Sequence, residues 1–96
     1  MTIFKYDPEG SHERSNRIHV RGEVIWENDK RMFFTALLPF YEDIDEAAAI
    51  ALVMKDSQEW KENFARVHQG EFRVRNVEFR LATATRASWC PIEIKL

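Results

Sequence analysis

Cysteine is almost missing from this chain: Cys90 is the only one in 96 residues. No disulfide can form within it, and a reducing compartment, by default the cytoplasm, is the expected location. Glycine and proline are scarce, at three each, which predicts long regular elements joined by short connections rather than a loop-dominated chain. Long apolar runs are missing too. The longest, Ala47 to Met54, falls far short of the roughly 20 residues a membrane-spanning helix needs. The opening Met1 to Asp7 is too short and too polar to read as a signal peptide. Neither sign of charge dominates, since 14 Lys and Arg stand against 16 Asp and Glu for a net charge of -2. That excludes the basic balance of a dedicated DNA binder and the dense negative charge of a phosphate-backbone mimic.

Motifs for catalysis or cofactor binding are absent as well. The chain has no glycine-rich phosphate loop, no Cys-x-x-Cys and no H-E-x-x-H. His12, His19 and His68 are scattered without ligand spacing, so neither a metal nor any other cofactor is expected. Cys90 has no neighbouring base in the sequence and reads as a small buried hydrophobe rather than a nucleophile. An enzyme is therefore not expected.

What is present is a foldable composition, 45% apolar and 31% charged, in a length that suits a single domain spanning residues 1–96. Ile3, Phe4 and Tyr6 predict a short first strand, and Asp7 to Arg17 a solvated loop. Ile18 to Trp26 alternates, with Ile18, Val20, Val24 and Trp26 on one face and Arg21, Glu23 and Glu27 on the other. Gly22 inside it marks a bulge or a close backbone approach. Glu27 to Lys30 reads as a turn, and Arg31 to Tyr41 as the second arm of a hairpin that Pro39 brings to its end.

Asp43, with Glu46 three residues on, predicts a helix start. The helix runs from Ile44 to His68, either continuous or broken near Asp56, and the unbroken apolar stripe Ile50, Val53, Ser57, Trp60, Phe64 and Val67 favours continuity. Ala47 to Met54 is apolar nearly all round, which predicts deep burial of that half. Gly70 is the expected left-handed stop.

Glu71 to Thr83 is strand-like but changes phase: Phe72 and Val74 share one parity, and Val77, Phe79 and Leu81 the other. A β-bulge at Arg75-Asn76 repairs this; a tight turn there is the alternative. Trp89 to Leu96 forms a last strand with Cys90, Ile92, Ile94 and Leu96 inward, at an edge because of Pro91. The predicted fold class is α+β: an antiparallel sheet of four to five strands in the order (β)ββαββ, with one long or kinked helix on one face.

Two features point towards function. The twelve aromatics include several on a second side of the hairpin that a single helix layer leaves open. Phe33, Leu37, Tyr41 and Trp26 are the candidate protein-contact residues, covered by a target or by a second copy of the chain. A small second core built by the N-terminal strand and loop is the competing reading.

Charge is also segregated, with seven acids and two bases in residues 41–64 and six bases and three acids in residues 65–96. Arg66, Arg73, Arg75, Arg80 and Arg86 supply a candidate contact for nucleic acid or an acidic partner, against the plain reading of a solvated face. Arg80 joins Arg73 and Arg75 only if the bulge resets the register. The acidic cluster Glu42, Asp43, Asp45 and Glu46 reads as helix capping.

The function expected is a small non-enzymatic protein-binding module, an inhibitor or adaptor that occupies a surface of a larger protein. Phage antagonists of host enzymes and bacterial immunity proteins share its size and character, as an association of class only. A nucleic-acid-binding domain using the arginine-rich C-terminal hairpin, and a structural subunit of a larger assembly, are the alternatives.

Overall fold

A computed structural model describes residues 2–10, 13–26, 30–84 and 89–93. The centre of the hairpin turn, His12, Arg86 and the positions of Ile94 and Leu96 lie outside the described residues. The elements run β1 (Thr2–Phe4), β2 (Arg17–Trp26), β3 (Lys30–Pro39), β4 (Ile44–Asp45), α1 (Glu46–His68), β5 (Phe72–Leu81) and β6 (Cys90–Ile92). Strands β3, β2, β5 and β6 form one antiparallel sheet in that order, and β1 pairs with β4 as a separate ribbon. Helix α1 packs on one face of the sheet. The α+β class, the antiparallel sheet and the helix on one face agree with the sequence.

The phase change in β5 is a bulge. Glu23 pairs with Arg75 and Arg21 with Glu78, so Asn76 and Val77 together face Gly22. Asn76 takes φ 54°, a left-handed conformation that asparagine tolerates better than most residues. The extra residue returns Val77 and Phe79 to the core beside Phe72 and Val74. Gly22 is also the close approach its position suggested: a Cβ there would stand 2.7 Å from Phe34 Cζ and 3.0 Å from Val77 Cγ2.

Helix α1 is continuous, but its ends differ from the prediction. Ile44 and Asp45 stay extended because they pair with β1. The cap therefore falls on Asp45, whose Oδ1 accepts from Ala48 N–H at 2.9 Å. Asp43 instead accepts from Tyr6 N–H at 2.7 Å and ties β1 to the helix entry. At the far end Gln69, not Gly70, is left-handed, with φ 49°, and its N–H reaches the Ala65 carbonyl at 3.0 Å.

The Ala47 to Met54 half is not deeply buried. Ala49 and Val53 are enclosed, whereas Ala47, Ala51 and Met54 are exposed, because among the described residues no second layer lies beyond the helix. The stripe that packs on the core ends at Phe64 and Ala65, and the exposed His68, rather than Val67, carries the aromatic stack on from there. Trp60, Phe64 and His68 stack in steps of 5.8 and 5.9 Å, and Val67 is left 74% exposed.

The core joins Ile18, Val20 and Val24 of β2, Phe34 of β3, Val53 of α1 and Phe79 of β5. Cys90 stands opposite Phe79 but on the edge strand β6, and it is exposed rather than buried.

Candidate functional site: a groove on the uncovered sheet face

The alternation that sends Val20 and Val24 towards the helix sends His19, Arg21 and Glu23 to the other face. In register beside them stand Leu37, Thr35 and Phe33 of β3 and Arg80, Glu78 and Arg75 of β5. None of the described elements packs over this face. Phe33 is 73% exposed and Leu37 40%. Tyr41, just past β3, is 76% exposed. The N-terminal strand pairs with β4 instead of closing over this side, so the second core that sequence reasoning weighed does not form among the described residues. The face holds a concave groove of 1290 Å³, walled chiefly by His19, Arg21, Phe33, Arg75, Arg80 and Trp89.

The centre of the groove is built on Trp89. The Arg21 and Arg80 guanidinium carbons lie 4.0 and 4.3 Å from its ring centroid, and the His19 ring meets it edge-on at 4.9 Å. Such cation–π contacts are worth about 0.5–1 kcal/mol each at exposed sites, and they fix where both arginines project. Arg21 also pairs with Glu78 at 3.3 Å. Arg80 Nε is buried and has no hydrogen-bond partner among the described residues. The bulge that restored the core thus also brings Arg80 onto the face that carries Arg73 and Arg75.

The surroundings of His19 favour its neutral form. The Thr35 hydroxyl donates to the Val20 carbonyl at 3.1 Å, so its oxygen is left to accept from His19 Nε2 at 2.9 Å. Nδ1 then presents a lone pair to Arg14 Nη2 at 3.5 Å. Burial, followed by the charges of Arg14, Arg80 and Arg21, pushes the His19 pKa below its ordinary value. Arg14 is itself anchored by its Nε to the Ala82 carbonyl at 3.0 Å.

Glu23 is the buried anion of the groove, 7% exposed. One carboxylate oxygen accepts from Arg75 Nε at 3.1 Å and from Asn76 Nδ2 at 3.0 Å, and Arg31 lies 3.7 Å from the other. Burial alone would raise its pKa; the Arg75 and Asn76 hydrogen bonds and the Arg75 and Arg31 charges outweigh that and lower it.

Of the residues singled out from sequence, the structure brings Phe33, Leu37, Arg73, Arg75 and Arg80 onto one face. Trp26 does not join them: it lies on the helix side against Phe72 and His68, at 5.3 and 5.8 Å. Arg66 sits exposed on α1 beside Asn63 and does not line the groove. Trp89, His19 and Arg14 were missed as site residues, because their meeting depends on the sheet order and leaves no local spacing.

Among the described residues no group of three or more His, Cys, Asp and Glu side chains is placed to hold a metal ion, and no helix is long and apolar enough to cross a membrane. Comparison with protein families, with curated proteins and with solved structures finds no match to the chain.

Proposed function

We propose that the chain is a non-enzymatic protein-binding module that seats its uncovered sheet face on an acidic patch of a larger protein, as an inhibitor or adaptor. The observation that carries this reading is the composition of the groove. Arg21 and Arg80 flank an aromatic ring in a site continuous with exposed Phe33 and Leu37. Trp, Phe and Arg dominate the energetics of protein interfaces, and guanidinium groups held in place lose little entropy when they meet a carboxylate. A nucleic acid fits less well. The carboxylates of Glu23, Glu78 and Glu93 line the same groove and would oppose a phosphate backbone. The Trp89 ring already carries two guanidinium groups and is a poor platform for a base.

The test is capture from cells by the tagged full chain, with Arg66→Glu as the charge control on the helix. One protein should be retained by the wild type and by Arg66→Glu, and reduced about tenfold or more by Arg80→Glu or Trp89→Ala, without sensitivity to nuclease. Undiminished capture by Arg80→Glu and Trp89→Ala overturns the proposal. Capture abolished by nuclease replaces it with the nucleic-acid reading.

A further inference from the structure

The sheet has two edges of very different character. At β6 the edge is three residues long and contains Pro91, two of the devices that keep a strand edge from recruiting another chain. At β3 the edge is ten residues long and pairs with β2 without a register shift. Between Met32 and Leu38 it carries no charge and no proline.

The direction of its backbone groups follows from one hydrogen bond. Phe40 N–H donates to the Asn16 carbonyl at 3.0 Å, one step beyond the Arg17–Pro39 pair. Bonded and non-bonded pairs alternate along an antiparallel ladder. Met32, Phe34, Ala36 and Leu38 therefore turn their backbone groups towards β2. Arg31, Phe33, Thr35, Leu37 and Pro39 turn theirs to the outer edge. The Arg17 carbonyl agrees, since it points away from β3 and accepts from Ala82 N–H. Among the described residues no strand or loop pairs with that outer edge.

We infer that β3 pairs antiparallel with β3 of a second copy of this chain, about a two-fold axis at Thr35, to make one continuous sheet. The strand is complementary to itself in this register. Phe33 of each copy faces Leu37 of the other on the uncovered side, Met32 faces Leu38 on the helix side, and the two Thr35 residues exchange backbone bonds. Every outward N–H from Arg31 to Leu37 then finds an outward carbonyl, and the position left without a donor is Pro39, which has no N–H to offer. Charge agrees with the same orientation. Lys30 and Arg31 lie beside the end of the other strand that leads to Glu42 and Asp43, and no like charges face each other. The pairing leaves Trp89 and Arg80, on the far side of β2, available to another protein, so it stands independently of what occupies the groove.

Sedimentation of the full chain at high micromolar concentration tests this. The wild type should run as a dimer. Leu37→Pro removes an outward N–H without taking a ladder hydrogen bond from β2, and Leu37→Lys adds an edge charge; both should run as folded monomers. In a Cys90→Ala background, Thr35→Cys should form a disulfide-linked dimer on mild oxidation, because the two α-carbons come about 5.5 Å apart. Phe33→Cys should not, because its copies stand several residues apart along the strands. A monomeric wild type, a dimer that survives both Leu37 variants, or linking of Phe33→Cys in preference to Thr35→Cys overturns the inference.

Discussion

At Gly22 the missing side chain is what lets Phe34 and Val77 close over the middle of the sheet. Gly22→Ala puts a methyl group 2.7 Å from the Phe34 ring, and forced overpacking of this kind costs about 1–3 kcal/mol. Urea unfolding should register a loss in that range; an unchanged midpoint would mean the ring has room to move. His19 gives a prediction in pH. Unfolded, it titrates near 6.5, and burial with the Arg14, Arg80 and Arg21 charges lowers that value in the folded chain. Between the two values the unfolded chain binds more protons, so stability rises with pH. The His19 contribution is complete above about pH 6.5 and is lost as the pH falls from there through the folded value. Stability measured across that window should depend less on pH in His19→Gln than in the wild type, and an NMR titration of His19 should show a midpoint below 6.5. A midpoint at or above 6.5 would contradict the neutral tautomer held between Arg14 and Thr35.

Among the elements, β5 depends on its bulge. Asn76 supplies both the left-handed backbone and a hydrogen bond to the buried Glu23 carboxylate. Asn76→Val loses both and should cost on the order of 1–3 kcal/mol, whereas Asn76→Gly keeps the backbone and should cost less. Equal losses would put the whole effect in the hydrogen bond. At the helix entry, Asp45→Ala should cost about 1 kcal/mol in urea unfolding as a lost N-cap. The same elements show what could be read before the structure. The change of parity between Val74 and Val77 marks an irregularity at Arg75-Asn76 that a bulge or a tight turn would both satisfy, and the unbroken pairing of β5 with β2 on either side of it decides for the bulge. The cap was misplaced from Asp45 to Asp43 because the β1–β4 pairing that keeps Ile44 extended is a long-range contact of two very short strands. Val67 was put in the buried stripe because spacings of three and four residues are equally good helical steps. Neither Val67 nor His68 is buried; His68 continues the ring stack because Phe72 and Trp26 arrive beside it from other elements. The exposure of Cys90 depends on how far β6 stands from the helix, and no residue near it in the chain signals that.

At the scale of the whole molecule, the helix covers one side of the sheet and leaves the other as a groove where arginines, a tryptophan and exposed apolar side chains meet. The open hairpin side around Phe33 and Leu37 was legible from the strand pattern, because Arg31 to Tyr41 is apolar on both faces and one helix covers only one. The centre of the groove was not, because Trp89, Arg80 and Arg21 come from separate strands and are joined only through sheet order. Glu46, Glu59 and Glu62 are exposed on α1, on the other side of the sheet from the arginines of the groove, and partner binding is proposed for the groove and not for the helix surface. A photo-crosslinking residue at Glu93, which lines the groove on the side away from β3, tests that division most directly when compared with one at Glu62 on the exposed side of α1. A protein adduct is expected at Glu93, joined at or beside an Asp or Glu of that protein, and none at Glu62. An adduct at Glu62 with none at Glu93 would contradict that division.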